Sequence, residues 1–268
     1  KRIERVLIEF RNRRKLQSYG YANRRKLLLE GVPGTGKTLT ASVIASELGL
    51  PLYTVQMDKL VSKFMGETGS KLRQVFDAMY TDEGVYVFDE FDAMVPRRSG
   101  EEGNQHYDSE VNEFLCMLNN ASDKGVYVLA ATNHPERIDK AVLRTGRIDE
   151  MVYIDMPDIE ARKSLFALEL SKLPTEGDID TTHLSELTNG YNCSDISYIV
   201  KSAARKKFNE TIKSPDGKKQ GITQEVLEEI IATRSPSVSI KSLREYERVR
   251  SEFSPKDKGL KPVTIGFR

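Results

Sequence analysis

Eight consecutive residues, Gly31-Val32-Pro33-Gly34-Thr35-Gly36-Lys37-Thr38, restrict the fold of this chain more than any other stretch. They follow a short apolar run, Lys26-Leu27-Leu28-Leu29-Glu30, and precede Leu39 to Leu48, where apolar residues recur at helical spacing and stop at Gly49. The pattern is strand, glycine loop, helix. Glycines let the backbone wrap until successive N–H groups point inward at phosphate oxygens, and the new helix adds the positive end of its dipole. Residues 31 to 39 are then expected along a bound nucleoside triphosphate. Lys37 would reach the terminal phosphates, and the Thr38 hydroxyl would join the shell of Mg2+.

A second apolar run, Val85-Tyr86-Val87-Phe88, ends in Asp89-Glu90. Apolar residues at successive positions suit a strand buried on both faces of a parallel sheet. Carboxylates at its end fall on the edge where such sheets bind ligands. Asp89 is suited to hold Mg2+ together with Thr38, and Glu90 to orient and deprotonate an attacking water. The run Gly125 to Ala131 reads as another buried strand and delivers Thr132-Asn133 to the same edge. A neutral amide there can hold that water and contact the terminal phosphate.

Two further stretches admit two readings each. Arg144-Thr145-Gly146-Arg147 is either surface charge on a turn, or a pair of guanidinium groups offered to a phosphate in this site or a neighbour's. Lys63-Phe64-Met65-Gly66-Glu67 either packs Phe64 onto its own domain, or is a loop that presents an aromatic side chain outward.

Composition removes other classes. Lys and Arg (41) nearly cancel Asp and Glu (40), so charge gives no case for an obligatory nucleic-acid partner. No apolar run approaches the roughly 20 residues that cross a bilayer, and the start has no signal-peptide pattern. Cys116 and Cys193 are too few for a disulfide framework and read as small buried residues in a cytoplasmic or other reducing compartment. His106, His134 and His183 form no zinc spacing. The chain enters mid-pattern without an initiator Met, so upstream residues are expected.

The remaining order predicts an α/β domain over 1–157, with a five-stranded parallel sheet and flanking helices. Its other strands are expected at Pro51 to Val55 and Met151 to Ile154, with helices over residues 1–16, Ser70 to Met79, Val111 to Leu118 and Pro135 to Leu143. Arg97 to Tyr107 reads as an exposed loop. Beyond Pro157 the pattern turns wholly helical, giving a small lid domain over 158–253 with a turn at Ser214 to Lys219, and a loosely held tail over 254–268.

Taken together, the chain resembles the AAA ATPases, in particular the group that includes katanin- and spastin-like proteins. The pieces that carry the resemblance occur in order: the loop Gly31 to Thr38, the pore-loop pattern Phe64-Met65-Gly66, Asp89-Glu90, Asn133, and the arginine turn Arg144 to Arg147. Gly190-Tyr191-Asn192-Cys193-Ser194-Asp195-Ile196 is similar to the family's lid motif, and Arg234-Ser235-Pro236-Ser237-Val238-Ser239 with the following helix that holds Tyr246 is similar to its C-terminal helix. The resemblance implies ATP and Mg2+ as ligands and a hexameric ring whose sites lie between subunits. Arg144 and Arg147 would reach the neighbour's γ-phosphate, while Phe64 and Met65 grip a protein threaded through the central pore.

There are departures. Cys193-Ser194 stands where the lid motif usually has Gly-Ala, and Asn119-Asn120-Ala121 lacks the Asp-Gly pair that many relatives use between subunits. The glycine pair that contacts adenine and an N-terminal adaptor domain would fall upstream of Lys1. Two rival readings are a nucleic-acid-associated loader or switch, kept open by Arg97 and Arg98, and a scaffold whose assembly nucleotide hydrolysis times.

Overall fold

The computed structural model describes residues 2–60, 67–96, 105–121, 125–143, 147–213 and 220–253. The chain divides into two units, Lys1–Gly31 with Lys37–Ile154, and Val32–Gly36 with Asp155–Arg268.

The first unit opens with α1 (Arg2–Arg11) and α2 (Arg13–Ser18), followed by β1 (Lys26–Glu30), α3 (Lys37–Leu48), β2 (Leu52–Val55) and α4 (Met57–Leu60). Then come α5 (Glu67–Thr81), β3 (Gly84–Phe88), α6 (Gln105–Asn120), β4 (Val126–Thr132) and β5 (Glu150–Tyr153). The strands make one sheet in the order β2-β3-β4-β1-β5, with every pairing parallel. Successive strand residues point to opposite faces, and here both faces are covered. Leu28, Phe88, Val128 and Ala130 pack with Leu72 and Phe76 of α5 and Phe114, Leu115 and Leu118 of α6. Leu27, Leu29, Val85, Val87 and Leu129 pack with Ala41, Ile44 and Leu48 of α3 and Val6 of α1. That double burial is why β1, β3 and β4 are continuous apolar runs rather than alternating ones.

The second unit contains α7 (Ile159–Leu170), α8 (Thr181–Leu187), α9 (Cys193–Lys213), α10 (Gln224–Ala232) and α11 (Ile240–Phe253). Phe166, Leu184, Ile196, Ile199, Val200 and Leu227 form its core. The five-stranded parallel sheet with flanking helices, followed by a helical region, is as the sequence leads one to expect. Among the described residues no helix is long and apolar enough to cross a membrane.

Several local expectations need correcting. Residues 135–143 are not one helix but two 3-10 turns, Pro135–Arg137 and Lys140–Leu143. Between them Asp139 N–H donates to the Val95 carbonyl and Ile138 bridges Pro96, so those backbone groups are taken from any helical ladder. Helix α6 begins at Gln105, inside the stretch expected to be a loop to Tyr107. Cys116 is exposed on α6, between the buried Leu115 and Leu118, rather than buried. The first helical segment is two helices separated at Asn12, whose amide donates to the Ile8 carbonyl at 2.9 Å.

Candidate nucleotide site at the strand ends

The sheet order sets three strand exits side by side, those of β1 and β4 level and that of β3 two residues short of them. Glu30 of β1 pairs with Thr132 of β4, and Phe88 of β3 pairs with Ala130. The next residues are therefore Gly31, Asn133 and Asp89, from segments far apart in sequence. Carboxyl ends of parallel strands are where open α/β sheets bind ligands.

Lys37, the first residue of α3, is only 7 % exposed. Its ammonium donates to the Gly31 carbonyl at 2.9 Å and to Asn133 Oδ1 at 2.6 Å. Burial lowers its pKa to about 8, against the opposing pull of the Asp89 charge. Thr38, one residue on and exposed, places its hydroxyl 3.4 Å from Asp89 Oδ2. Asp89 also caps the following peptide, its Oδ1 accepting from Glu90 N–H at 3.0 Å.

Glu90 is exposed and lies in the left-handed region, φ 52 and ψ 42, the single non-glycine residue with positive φ among those described. The turn it begins, Phe91–Ala93, is pinned by fully buried Phe91. Leu39 is 58 % exposed on the first turn of α3. A hydroxyl and a carboxylate side by side are hard oxygen donors of the kind that bind Mg2+ through one or two protein groups, with water and phosphate completing the shell. Thr38 and Asp89 thus fit such an ion. Among the described residues no group of three His, Cys, Asp or Glu side chains could hold a metal by itself.

The middle of the loop, Val32–Gly36, is organised within the second unit. Gly34 and Gly36 have φ of 79° and 94°, a region glycine enters without penalty. Thr35 Oγ1 donates to the Val32 carbonyl at 3.0 Å, closing the turn. Asn192 Nδ2 donates to the Pro33 carbonyl at 3.1 Å, Ser194 N–H to the Gly34 carbonyl at 3.1 Å, and the Cys193 thiol to the Thr35 carbonyl at 3.5 Å. A Cβ on Gly34 would fall 2.5 to 2.9 Å from the Asn192 amide, so Gly34 is required by this contact as well as by its φ.

Asn192 and Asp195 form a reciprocal cap on α9. Asn192 Oδ1 accepts from Asp195 N–H at 2.8 Å, and Asp195 Oδ2 from Asn192 N–H at 3.3 Å. The same carboxylate, 2 % exposed, accepts from Ser237 N–H and Oγ at 3.1 and 3.0 Å and from Arg234 Nη2 at 3.4 Å. Asn192 Nδ2 also meets Ser237 Oγ at 2.9 Å.

The structure thus brings Lys37, Thr38, Asp89 and Asn133 together, with Glu90 next to Asp89. Arg147 is partly buried, and its guanidinium donates to the Ala141 carbonyl at 2.7 Å. Phe64, Met65 and Arg144 lie outside the described residues, as do Arg97, Arg98 and the Ser214–Lys219 turn. Asp92 is absent from the sequence reading and contacts Thr132 from 40 residues away, while Ser237, read only as part of the Arg234 to Ser239 stretch, contacts Asp195 across 42 residues. A third carboxylate in Asp89-Glu90-Phe91-Asp92 was the available signal for Asp92; nothing marked the contact of Ser237 with Asp195.

A glycine loop between strand and helix, its lysine held beside an asparagine and its threonine beside a strand-end aspartate, defines the P-loop nucleotide-binding fold. The family model described as "ATPase family associated with various cellular activities (AAA)" matches residues 27–156. The chain therefore carries an AAA ATPase domain. It is 34 % identical over 239 residues to the Cell division cycle protein 48 homolog of Archaeoglobus fulgidus, covering 85 % of this chain and 33 % of that protein. It is 32 % identical over 263 residues to a Dictyostelium discoideum protein named as a ribosome biogenesis ATPase, nvl, covering 96 % of this chain and 30 % of that one. The chain spans about a third of the length of these relatives.

Proposed function

We propose that this chain hydrolyses ATP to ADP and phosphate with Mg2+, and that it works as one subunit of a ring, a hexamer by its resemblance, that remodels or unfolds a protein. The observation that carries the hydrolytic part is the meeting of Lys37, Asn133, Thr38 and Asp89 at neighbouring strand ends, with exposed Glu90 adjoining.

In this reading the Val32–Gly36 backbone cradles the phosphates and Lys37 exchanges its Gly31 and Asn133 partners for phosphate oxygens. Leu39 borders the nucleotide from the first turn of α3. Thr38 and Asp89 would hold Mg2+, which supplies charge neutralisation on the phosphates when bound. Glu90 takes the proton of the attacking water, whose position Asn133 helps to fix. Arg144 and Arg147 act on the neighbouring subunit's γ-phosphate, a contribution on the order of 10^3 to 10^5 in rate where an arginine is supplied in trans. Phe64 and Met65 contact the threaded protein.

The division of the chain into a large α/β ATPase domain, a helical lid and a tail belongs to the same proposal. So does membership of the group with katanin- and spastin-like proteins, supported by the Phe64-Met65-Gly66 pattern and by the α11 helix with buried Tyr246.

The test is Glu90→Gln in ATP, followed by size measurement and by recovery of bound protein. A ring that forms with ATP, falls apart with ADP and retains a polypeptide supports the reading; a monomer in both nucleotides contradicts it.

A further inference from the structure

Thr132, the last residue of β4, is 1 % exposed, and its hydroxyl joins two strand exits. It donates to Asp92 Oδ1 at 2.6 Å and accepts from His134 N–H at 2.9 Å. The two partners frame the reacting groups. Asn133 lies between Thr132 and His134 in the chain, so the bond to His134 N–H closes a tight loop around the Asn133 peptide. Asp92 belongs to the 3-10 turn Phe91–Ala93 that Glu90 begins, with Ala93 N–H bonded to the Glu90 carbonyl at 2.9 Å.

The backbone at Glu90 gives this tie its meaning. A left-handed conformation at a non-glycine residue is strained and persists only where the surroundings impose it. Two contacts of the following turn impose it here: Phe91, fully buried among Phe88 and Phe114, and Asp92 on Thr132. The first holds the turn in the core. The second registers it against β4, and thus against Asn133.

We infer that Thr132 and Asp92 are positioning residues, a hydroxyl–carboxylate pair that sets Glu90 and Asn133 relative to each other for attack on the nucleotide. The inference rests on the hydrolytic reading above. Thr132 is sealed from solvent and acts only through these two partners. Valine in its place keeps the branched shape and removes the hydroxyl, leaving Asp92 and His134 N–H without that partner. Serine keeps the hydroxyl.

The experiment is steady-state ATP hydrolysis, with ATP affinity and melting temperature measured alongside, on the full chain and its Thr132→Val, Thr132→Ser and Asp92→Ala variants. Thr132→Val is expected to lower kcat by about 10- to 100-fold, the scale of a small misplacement at a reacting centre, with KM and ATP affinity little changed. Serine restores most of kcat. Asp92→Ala lowers kcat similarly, and the double variant Thr132→Val, Asp92→Ala is no slower than the slower single one, because both remove one tie. Should the valine variant fail to fold, Asp92→Ala carries the same comparison from a position on the turn.

Undiminished kcat in either variant, loss confined to ATP affinity, or a loss that serine does not restore overturns the positioning role. A wild-type chain that binds ATP in its assembled form and never hydrolyses it sinks the hydrolytic reading itself, and this inference with it.

Discussion

Buried polar groups serve opposite purposes at the two ends of the phosphate loop. In the helical unit, Asp195 is surrounded by donors from Asn192, Ser237 and Arg234, and the Arg162 guanidinium donates to the Ser185 and Pro157 carbonyls. These charges are buried with partners already in place. At the strand ends, Lys37 is buried at the cost of a pKa lowered to about 8, and Glu90 holds a left-handed backbone with its side chain outward. One region is built to keep its partners and the other to exchange them. Stability resides in the first, and chemistry in groups that the second holds away from their optimum.

The comparison breaks if mutation of the two regions has the same sign. Asp195→Ala should be the largest loss, about 3 kcal/mol or more, since it strips the acceptor from a buried charged network; urea unfolding measures it. Asn192→Ala removes the α9 cap and the link to Pro33 and should cost about 1 kcal/mol. Lys37→Met should go the other way, stabilising the nucleotide-free chain by about 1 kcal/mol because a buried charge is removed, while ATP binding is lost. Equal destabilisation by Lys37→Met and Asn192→Ala would erase the distinction.

The smallest effect is in pH. Lys37 titrates near 10.5 when unfolded and about 8 when folded, so between these values the unfolded chain holds more protons. Its contribution therefore opposes folding fully below about pH 8 and is relieved as pH rises toward 10.5, an upward component of stability that Lys37→Met should lack. By the same sign, ATP binding near pH 8 should be accompanied by proton uptake, because phosphates favour the charged lysine; calorimetry in buffers of different ionisation enthalpy reads it.

How legible each region is in the sequence follows from the same contrast. Strands β1, β3 and β4 announce themselves because both faces are buried, and Lys37, Thr38, Asp89 and Asn133 follow strand ends or begin a helix, where motif spacing is local. Residues 135–143 misled because their apolar spacing is helical while their backbone groups are claimed by Val95 and Pro96, from another part of the chain. Asn192, Asp195 and Ser237 were unreadable as a unit: Ser237 meets Asp195 across 42 residues, and no periodicity encodes that meeting. The polar start of α6, from Gln105 to Glu110, carries no apolar stripe to mark it as helix.

The central claim, that the neighbouring strand ends form a hydrolytic site with Glu90 as its base, is tested most directly by single-turnover ATP hydrolysis in Glu90→Gln beside ATP binding in the same variant. The account predicts retained binding with hydrolysis slowed on the order of 10^2- to 10^4-fold. Hydrolysis at the wild-type rate would contradict it.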